Sequence, residues 1–445
     1  MKLYPYQRQG AEFLATHNHA LLADEMGLGK TAQAVSAAKQ VGAKTLCVIC
    51  PAIARPMWHR ELKIWGWTGA SLIESYNRAT GRKDVQDAIA KMKPEVLILD
   101  EAHYLKNRNA KRTRAIYGTS ACGHGLIAHA KRVWLLTGTP TPNNASELWP
   151  HFRALFPKLI PSRRGASQNY WEFVNSWCWM RRTEFGMSVY GNRNPQGLRN
   201  LLRNFTLRRK SEQVLKDLPA ITITHSLVEP TVVSQELSHF IGTDEYKRLE
   251  EIVEKALDEY AEPPNVPHLS TLRRLTGIAK AGAVAQTIAE ELDAGAYSKI
   301  VLFGIHREAL NALEQGLSSF ECVRVDGATP PAARQSRIDQ FQNEPLVRVF
   351  IGQLTACGHA LTLTAAHHAA LVEYSWTPAE NFQATKRCHR IGQTRPVFVR
   401  MFGLANSIDE AISGVLAQKT RMLSELETCN RDADDDKTCT PNGIH

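Results

Sequence analysis

The chain has 445 residues, 43% of them hydrophobic and 22% charged, enough for two or three domains of about 150 residues with sizeable cores; this excludes a disordered chain and a disulfide-stapled miniprotein. Lysines and arginines number 54 against 44 acids, a formal +10 that favours a polyanionic partner without naming one. No apolar run approaches the roughly 18 residues that span a bilayer, Met1–Gln7 lacks the features of a signal peptide, and nine scattered cysteines outline no disulfide framework, so the expectation is a reducing interior and no membrane partner.

In chain order, His19–Ala23, Thr45–Cys50, Glu95–Leu99 and Arg132–Leu136 read as short buried strands, each followed by a turn or helical pattern. That is the βαβ rhythm of a parallel sheet. Residues 151–219 change character: they are rich in Arg, Trp and Asn and read as helical or irregular. Helical spacing returns in Tyr246–Tyr260 and Ala279–Leu292, on either side of a Pro-rich stretch at Glu262–Pro267. The strand rhythm then repeats in Lys299–Phe303, Cys322–Val325, Val347–Ile351, Ala370–Glu373 and Val397–Phe402. The expected fold class is therefore α/β, two lobes of parallel sheet flanked by helices, with a helical insertion between them. The expected divisions are 1–150, 151–219, 220–425 and a polar tail over 426–445.

The most informative stretch is Asp24-Glu25-Met26-Gly27-Leu28-Gly29-Lys30-Thr31, which lies between an apolar strand and an Ala-rich helical pattern. Gly27, Leu28 and Gly29 would wrap backbone N–H groups around phosphate oxygens, and the following helix would point its positive end at the same anion. Lys30 would reach the β- and γ-phosphates, and the Thr31 hydroxyl would ligate Mg²⁺. Asp24 stands where the general phosphate-loop pattern has its first Gly. Downstream, Val96–Leu99 delivers Asp100-Glu101-Ala102-His103 to the carboxyl edge of the sheet. Asp100 would hold Mg²⁺, and Glu101 would polarise the attacking water. Together the two stretches point to an NTPase using ATP and Mg²⁺.

These residues resemble motifs I and II of superfamily 2 helicases, specifically the Snf2 branch. Gln7 resembles the adenine-reading Q motif, Pro51 with Trp58 and Glu61 resembles motif Ia, and Leu135–Pro140 resembles motif III. Phe205–Lys210 through Pro219 is similar to the Snf2 signature that leaves the first lobe. Val301–Phe303, Cys357–Thr364 and Gln383–Gln393 resemble motifs IV, V and VI. Asp326–Thr329 with Arg334 fits the segment after motif IV. The resemblance runs from about residue 3 to 420. It implies two RecA-like lobes, ATP hydrolysis and translocation on double-stranded DNA, usually without separating the strands; tracking through phosphate contacts predicts little sequence preference. Its compactness resembles bacterial or phage stand-alone proteins, which would place it in the cytoplasm; a eukaryotic member would be nuclear. Ala360 departs from the usual motif V Gly. Thr362 stands where remodellers often carry Asn; Thr is compatible with annealing-helicase relatives.

Mechanistically, Arg387 and Arg390 are three apart, on one face if helical, and would reach the γ-phosphoryl charge when the lobes close. Gln383 would join the nucleotide contacts. DNA contacts are expected from Trp58, Thr137, Thr362 and Thr364, with Arg181 and Arg182 beside the aromatic run Tyr170, Trp171, Phe173, Trp177 and Trp179. That run also reads as the core of a small helical insertion. Cys47-x-x-Cys50 has zinc spacing but lies in a strand pattern, and Cys122, His124 and His129 lie close in a loop; no zinc site is expected. Residues 151–219 hold thirteen Lys/Arg against four acids, so the excess charge concentrates there. Three competing readings stand beside the translocase: strand annealing or fork remodelling by the same motor, a non-cycling adaptor, and a DEAH-type RNA helicase.

Overall fold

A computed structural model describes residues 2–119, 123–138, 140, 144–162, 169–183, 186–215, 218–230, 243–244, 246–249, 251, 267–357, 361–376, 378–405, 407, 409 and 412. Thr139, Cys122, Arg163, Arg164, Glu184, Lys216, Asp217, Gly358, His359, Ala360, most of the expected helix Tyr246–Tyr260, the stretch from Glu262 up to residue 266, and the tail 426–445 lie outside them.

The first sheet holds six parallel strands: β1 (His19–Leu22), β2 (Thr45–Cys50), β3 (Ala70–Ser75), β4 (Val96–Asp100), β5 (Arg132–Leu136) and a two-residue strand, Thr206–Leu207. Their spatial order is Thr206–Leu207, β1, β5, β4, β2, β3. Alternate residues of the central strands go to opposite faces. Leu21, Cys47, Ile49, Leu97, Leu99 and Leu135 meet Phe152, Phe156, Phe173 and Phe205 on one face. Leu22, Val48, Ile98, Trp134 and Leu136 meet Leu14, Val35 and Trp58 of α1 (Pro5–Thr16), α2 (Lys30–Gln40) and α3 (Arg55–Ile64) on the other. A sheet covered on both faces explains why its strands read as continuous apolar runs.

Residues 151–219 are helical only in part. α4 (Tyr170–Trp177) starts where the Asn169 side chain accepts from Trp171 N and Glu172 N while Glu172 Oε2 accepts from Asn169 N, a reciprocal cap. It is followed by an antiparallel hairpin of Cys178–Thr183 and Gly186–Asn192. α5 (Pro195–Arg203), capped by Asn194 on Gly197 N at 2.9 Å, then leads to Thr206–Leu207. The segment is thus continuous with the first lobe: Phe173 and Phe205 are core residues there, and Thr206–Leu207 is its edge strand.

The second sheet is also six-stranded and parallel. With the hairpin strands as β6 and β7 and Thr206–Leu207 as β8, its strands are β9 (Ile221–Val228), β10 (Ile300–Gly304), β11 (Glu321–Val325), β12 (Val347–Gln353), β13 (His368–Leu371) and β14 (Val397–Leu404). They are ordered β9, β14, β13, β10, β12, β11. The helix expected at Ala279–Leu292 is longer, running Pro267–Asp293. No helix among the described residues is long and apolar enough to cross a membrane.

Candidate nucleotide and nucleic-acid site

The phosphate-loop residues follow β1 and end in α2. Gly27 and Gly29 have φ of +87° and +73°, a left-handed conformation that favours glycine. Gly29 is the N-cap of α2, so the helix begins on Lys30 with its free N–H groups facing the loop. The Lys30 ammonium donates to the Asp24 carbonyl at 2.7 Å and the Glu25 carbonyl at 3.3 Å. Thr31 is half-buried in the first turn, and Leu28 is buried. The Gln7 amide donates to the Leu28 carbonyl at 3.2 Å and would collide with a side chain at Gly29. Gln7 therefore braces the loop from beneath.

Asp24 is fully buried, and its carboxylate is occupied by protein donors. The expectation of a nucleotide contact is corrected here. Arg209 grips its carboxylate at both oxygens, Nε to Oδ1 at 3.0 Å and Nη2 to Oδ2 at 2.5 Å, and Gln33 adds 3.1 Å to Oδ2. A loop carboxylate saturated in this way shapes the loop.

Asp100 and Glu101 stand at the end of β4. Glu101 has φ +52°, which turns the chain sharply after the strand. Asp100 Oδ1 accepts from Glu101 N at 3.1 Å, and Tyr76 OH donates to the Asp100 carbonyl at 2.9 Å. Trp58, expected at the DNA surface, is wholly buried, and its indole donates to Asp100 Oδ2 at 2.8 Å. Thr137 is also buried, with its hydroxyl 3.1 Å from His103 Nδ1, while that same nitrogen lies 3.3 Å from Glu101 Oε2. Both residues sit beneath the site because α3 and β5 carry them into the lobe. Neither side chain is exposed at the surface where the DNA contact was expected.

From the second lobe, α6 (Pro378–Thr385) ends five residues before Arg390, and turns carry Lys386–Arg390. Arg387 and Arg390 are accordingly not on a helix face. A methyl placed on Gly27 would lie 3.5–3.8 Å from Arg390 Cγ, Nε and Cα, so the arginine stem covers the loop. Its guanidinium donates to the Leu361 carbonyl at 2.6 Å and to Thr362 Oγ1 at 3.2 Å. Thr362 is exposed; Thr364 is half-buried, and its hydroxyl accepts from Gln342 at 3.3 Å. Gln383 is buried in α6.

Charge balance tests the fit to a polyphosphate and its cation. Burial pushes Lys30 down, opposed by Glu101, Asp24 and Asp100 and aided by Arg390. Burial and the neighbouring Arg390 push Arg387 down to about 9, with Glu101 opposing. Arg390 is lowered by burial against Glu101 and Glu61. Three crowded cations thus share Glu101, with Asp100 also facing Lys30 and Glu61 facing Arg390, while Asp24 is paired with Arg209 and Glu25 with Lys386. An anionic ligand relieves that arrangement. The Asp100 carboxylate and the Thr31 hydroxyl supply oxygen donors of the kind Mg²⁺ takes. The residues fit both groups.

The basic segment spends part of its charge internally. Arg153 donates to the Gly118 carbonyl at 2.6 Å, Arg193 to Asn175 at 2.7 Å, and Arg208 to Gly138 at 3.4 Å. In the aromatic run Phe173 is core, whereas Trp171 and Trp179 are 49% and 46% exposed. Arg193 lies 5.1 Å over the Trp179 ring, and Arg108 lies 4.1 Å over that of Tyr170. Arg182 is exposed and Arg181 half-buried on the hairpin. Cys47 and Cys50 are buried thiols pushed up to about 12 and beyond by burial. Among the described residues no group of three His, Cys, Asp or Glu could hold a metal ion.

Sequence reasoning missed Tyr76, the Arg209–Asp24 pair and the Glu25–Lys386 pair, all of which act across long separations. It located Trp58 and Thr137 only as members of motifs.

Residues 6–72 and 66–259 match the SNF2-related domain, and residues 283–392 match the helicase conserved C-terminal domain. The chain is 29% identical to the SWI/SNF-related matrix-associated actin-dependent regulator of chromatin subfamily A-like protein 1 homolog of Caenorhabditis elegans, over 96% of this chain and 62% of that protein. It is 29% identical to the DNA annealing helicase and endonuclease ZRANB3 of Bos taurus, over 95% of this chain and 40% of that protein. It therefore spans only part of these relatives. The Sulfolobus solfataricus SWI2/SNF2 ATPase core in complex with dsDNA is 22% identical, with a TM-score of 0.40, over 96% of this chain and 93% of that one.

Proposed function

Because the chain belongs to the SNF2-related family, we propose that it is a DNA-dependent ATPase that couples ATP hydrolysis to movement along double-stranded DNA. The observation that carries the reading is the meeting of two half-sites. Lys30, Asp100 and Glu101 come from the first lobe, and the Arg390 stem lies over Gly27 from the second.

In this reading the loop N–H groups, Lys30 and the α2 terminus bind the β- and γ-phosphates of ATP, and Gln7 and Gln383 support the nucleotide end of the site. Thr31 and Asp100 would hold Mg²⁺, which when bound neutralises charge on phosphate oxygens. Glu101 accepts the proton of the attacking water; His103, 3.3 Å away, keeps its carboxylate aimed. Arg387 and Arg390 supply positive charge where it develops on the γ-phosphoryl group. They belong to the other lobe, so hydrolysis requires closure and product release permits opening. Residues 2–215 act as one lobe and residues 218–412 as the other.

Duplex DNA is held through phosphates, without sequence preference, by the exposed Thr362 region and by the hairpin carrying Arg181 and Arg182. The protein would act wherever duplex DNA lies, in a bacterial cytoplasm or a nucleus. Similarity to an annealing helicase over 95% of this chain supports a second reading, strand annealing by the same motor.

The test is steady-state phosphate release with and without duplex DNA. The wild type should be stimulated, and Lys30→Ala and Arg390→Ala should each fall by at least about a hundredfold. Turnover at wild-type rates in either variant, or stimulation by RNA alone, refutes the proposal.

A further inference from the structure

The acidic pair that opens the phosphate loop is engaged by protein groups. Asp24 is taken by Arg209; Glu25, its neighbour, is taken from two directions. Glu25 Oε1 lies 2.8 Å from the Lys386 ammonium of the second lobe. Glu25 Oε2 accepts from Ser211 N at 2.5 Å and from the Ser211 hydroxyl, on the segment that leaves the first lobe. Lys386 is 4% exposed and also lies 3.4 Å from Ser211 Oγ. Its ammonium donates to His389 Nδ1 at 3.0 Å, which leaves the opposite ring nitrogen as the donor to the Pro219 carbonyl at 2.6 Å.

One carboxylate of the phosphate loop thus meets Lys386 of the second lobe and Ser211 directly, and Lys386 carries the link on through His389 to Pro219. Burial pushes the Glu25 carboxyl up, but Lys386 and the Ser211 donors outweigh it and hold the group below the usual carboxylate range. A buried lysine paired with a buried carboxylate is sharply position-dependent, because removing one partner strands the other. Lys386 immediately precedes Arg387 and is four residues from Arg390. Holding Lys386 therefore helps set Arg390 over Gly27.

We infer that Glu25, Ser211, Lys386 and His389 form a latch that makes the shape of the phosphate loop and the closure of the lobes a single event. These are positioning residues: they act through Arg387, Arg390 and the loop. The inference rests on the ATPase reading for its kinetic consequence, but its structural consequence stands apart from that reading.

The experiment is a double-mutant cycle of Glu25→Gln and Lys386→Met on the full chain, with Ser211→Ala as a milder third variant. Small-angle X-ray scattering reports lobe separation without requiring turnover. Each single variant should raise the radius of gyration, and the double variant should raise it no further than either single. In phosphate release, kcat should fall about tenfold in either single variant with KM for ATP changing less than about threefold, because the latch governs closure rather than first-lobe binding. Ser211→Ala leaves the backbone donor and should lose about two- to threefold in kcat. Thermal melts identify any variant that has not folded, and Ser211→Ala then carries the test.

Independent, multiplying effects of Glu25→Gln and Lys386→Met would overturn the latch. So would a rise in KM confined to Lys386→Met, which would make Lys386 a phosphate contact. A wild type without ATPase activity defeats the functional reading alone, since scattering still tests the latch.

Discussion

Replacing Trp58 by Phe separates two roles for one residue. The resemblance to motif Ia predicts a DNA contact; the structure gives a buried indole donating to Asp100 Oδ2 at 2.8 Å. Phenylalanine keeps a ring in the cavity and removes only the donor and part of the volume. A hydrogen bond to a charged acceptor contributes about 1.5–3 kcal/mol, and the volume lost costs about 1–2 kcal/mol of stability. Asp100 then keeps Glu101 N on Oδ1 but loses the Trp58 donor on Oδ2. Partners that orient a metal-binding carboxylate typically govern affinity or activity by about 10–100-fold.

Equilibrium binding of a fluorescent ATP analogue supplies the assay. Trp58→Phe should weaken binding by about 10–100-fold with Mg²⁺ and by less than about threefold in EDTA. Duplex DNA affinity should stay within about twofold, because an inaccessible ring contacts no phosphate. A tenfold loss of DNA affinity with unchanged Mg²⁺ dependence would refute the reasoning and restore the sequence-based expectation.

Two further outcomes follow from buried charge. Arg209→Met strands the fully buried Asp24 carboxylate and should cost about 3–5 kcal/mol, read as a fall in Tm of roughly 10 °C; a shift under about 2 °C would contradict the pairing. His151 is buried with Nδ1 2.7 Å from Tyr117 OH, and burial, with His103 adding, holds its imidazole down at about 4. An unfolded chain takes that proton near pH 6.5 and the folded chain does not, so stability is complete above about 6.5 and is lost as pH falls towards 4, by about 3 kcal/mol. Urea melts from pH 7.5 to 4.5 should show a shallower decline in His151→Gln than in the wild type, and parallel curves would dismiss the assignment.

Nine strands announce themselves in the sequence because both faces of each sheet are covered, which leaves unbroken apolar runs such as Thr45–Cys50. The three unannounced strands of the two six-stranded sheets are all at sheet edges. β3 reads Ala-Ser-Leu-Ile-Glu-Ser, β8 is two residues long, and β9 alternates Ile and Thr with most of its residues exposed. The phosphate loop is legible for a related reason. The phosphate binding proposed for it needs glycine, lysine and threonine at adjacent positions, and adjacency survives in one dimension.

The supports of the loop are not legible. Arg209 lies 185 residues from Asp24, Trp58 lies 42 from Asp100, and Lys386 belongs to the other lobe. Nothing local marks an arginine that will be buried against a distant carboxylate. Burial also reverses the meaning of a residue: Trp58 and Thr137 sit in recognisable blocks, yet packing turns both inward.

The edge strand Thr206–Leu207 has a consequence for how the protein is made. It pairs with Leu21–Leu22, and beyond it Arg209 O accepts from Glu25 N at 2.9 Å, so the flank of the phosphate loop is completed by chain synthesised 185 residues later. At about 5–20 residues per second that interval is on the order of ten to forty seconds on the ribosome. During it, β1 presents an unpaired edge of apolar backbone, the kind of edge that invites aggregation. A nascent fragment ending near residue 150 holds the whole nucleotide loop yet lacks the strand that closes it. Such a fragment should bind chaperones and resist refolding, whereas one ending past residue 215 should yield a stable first lobe.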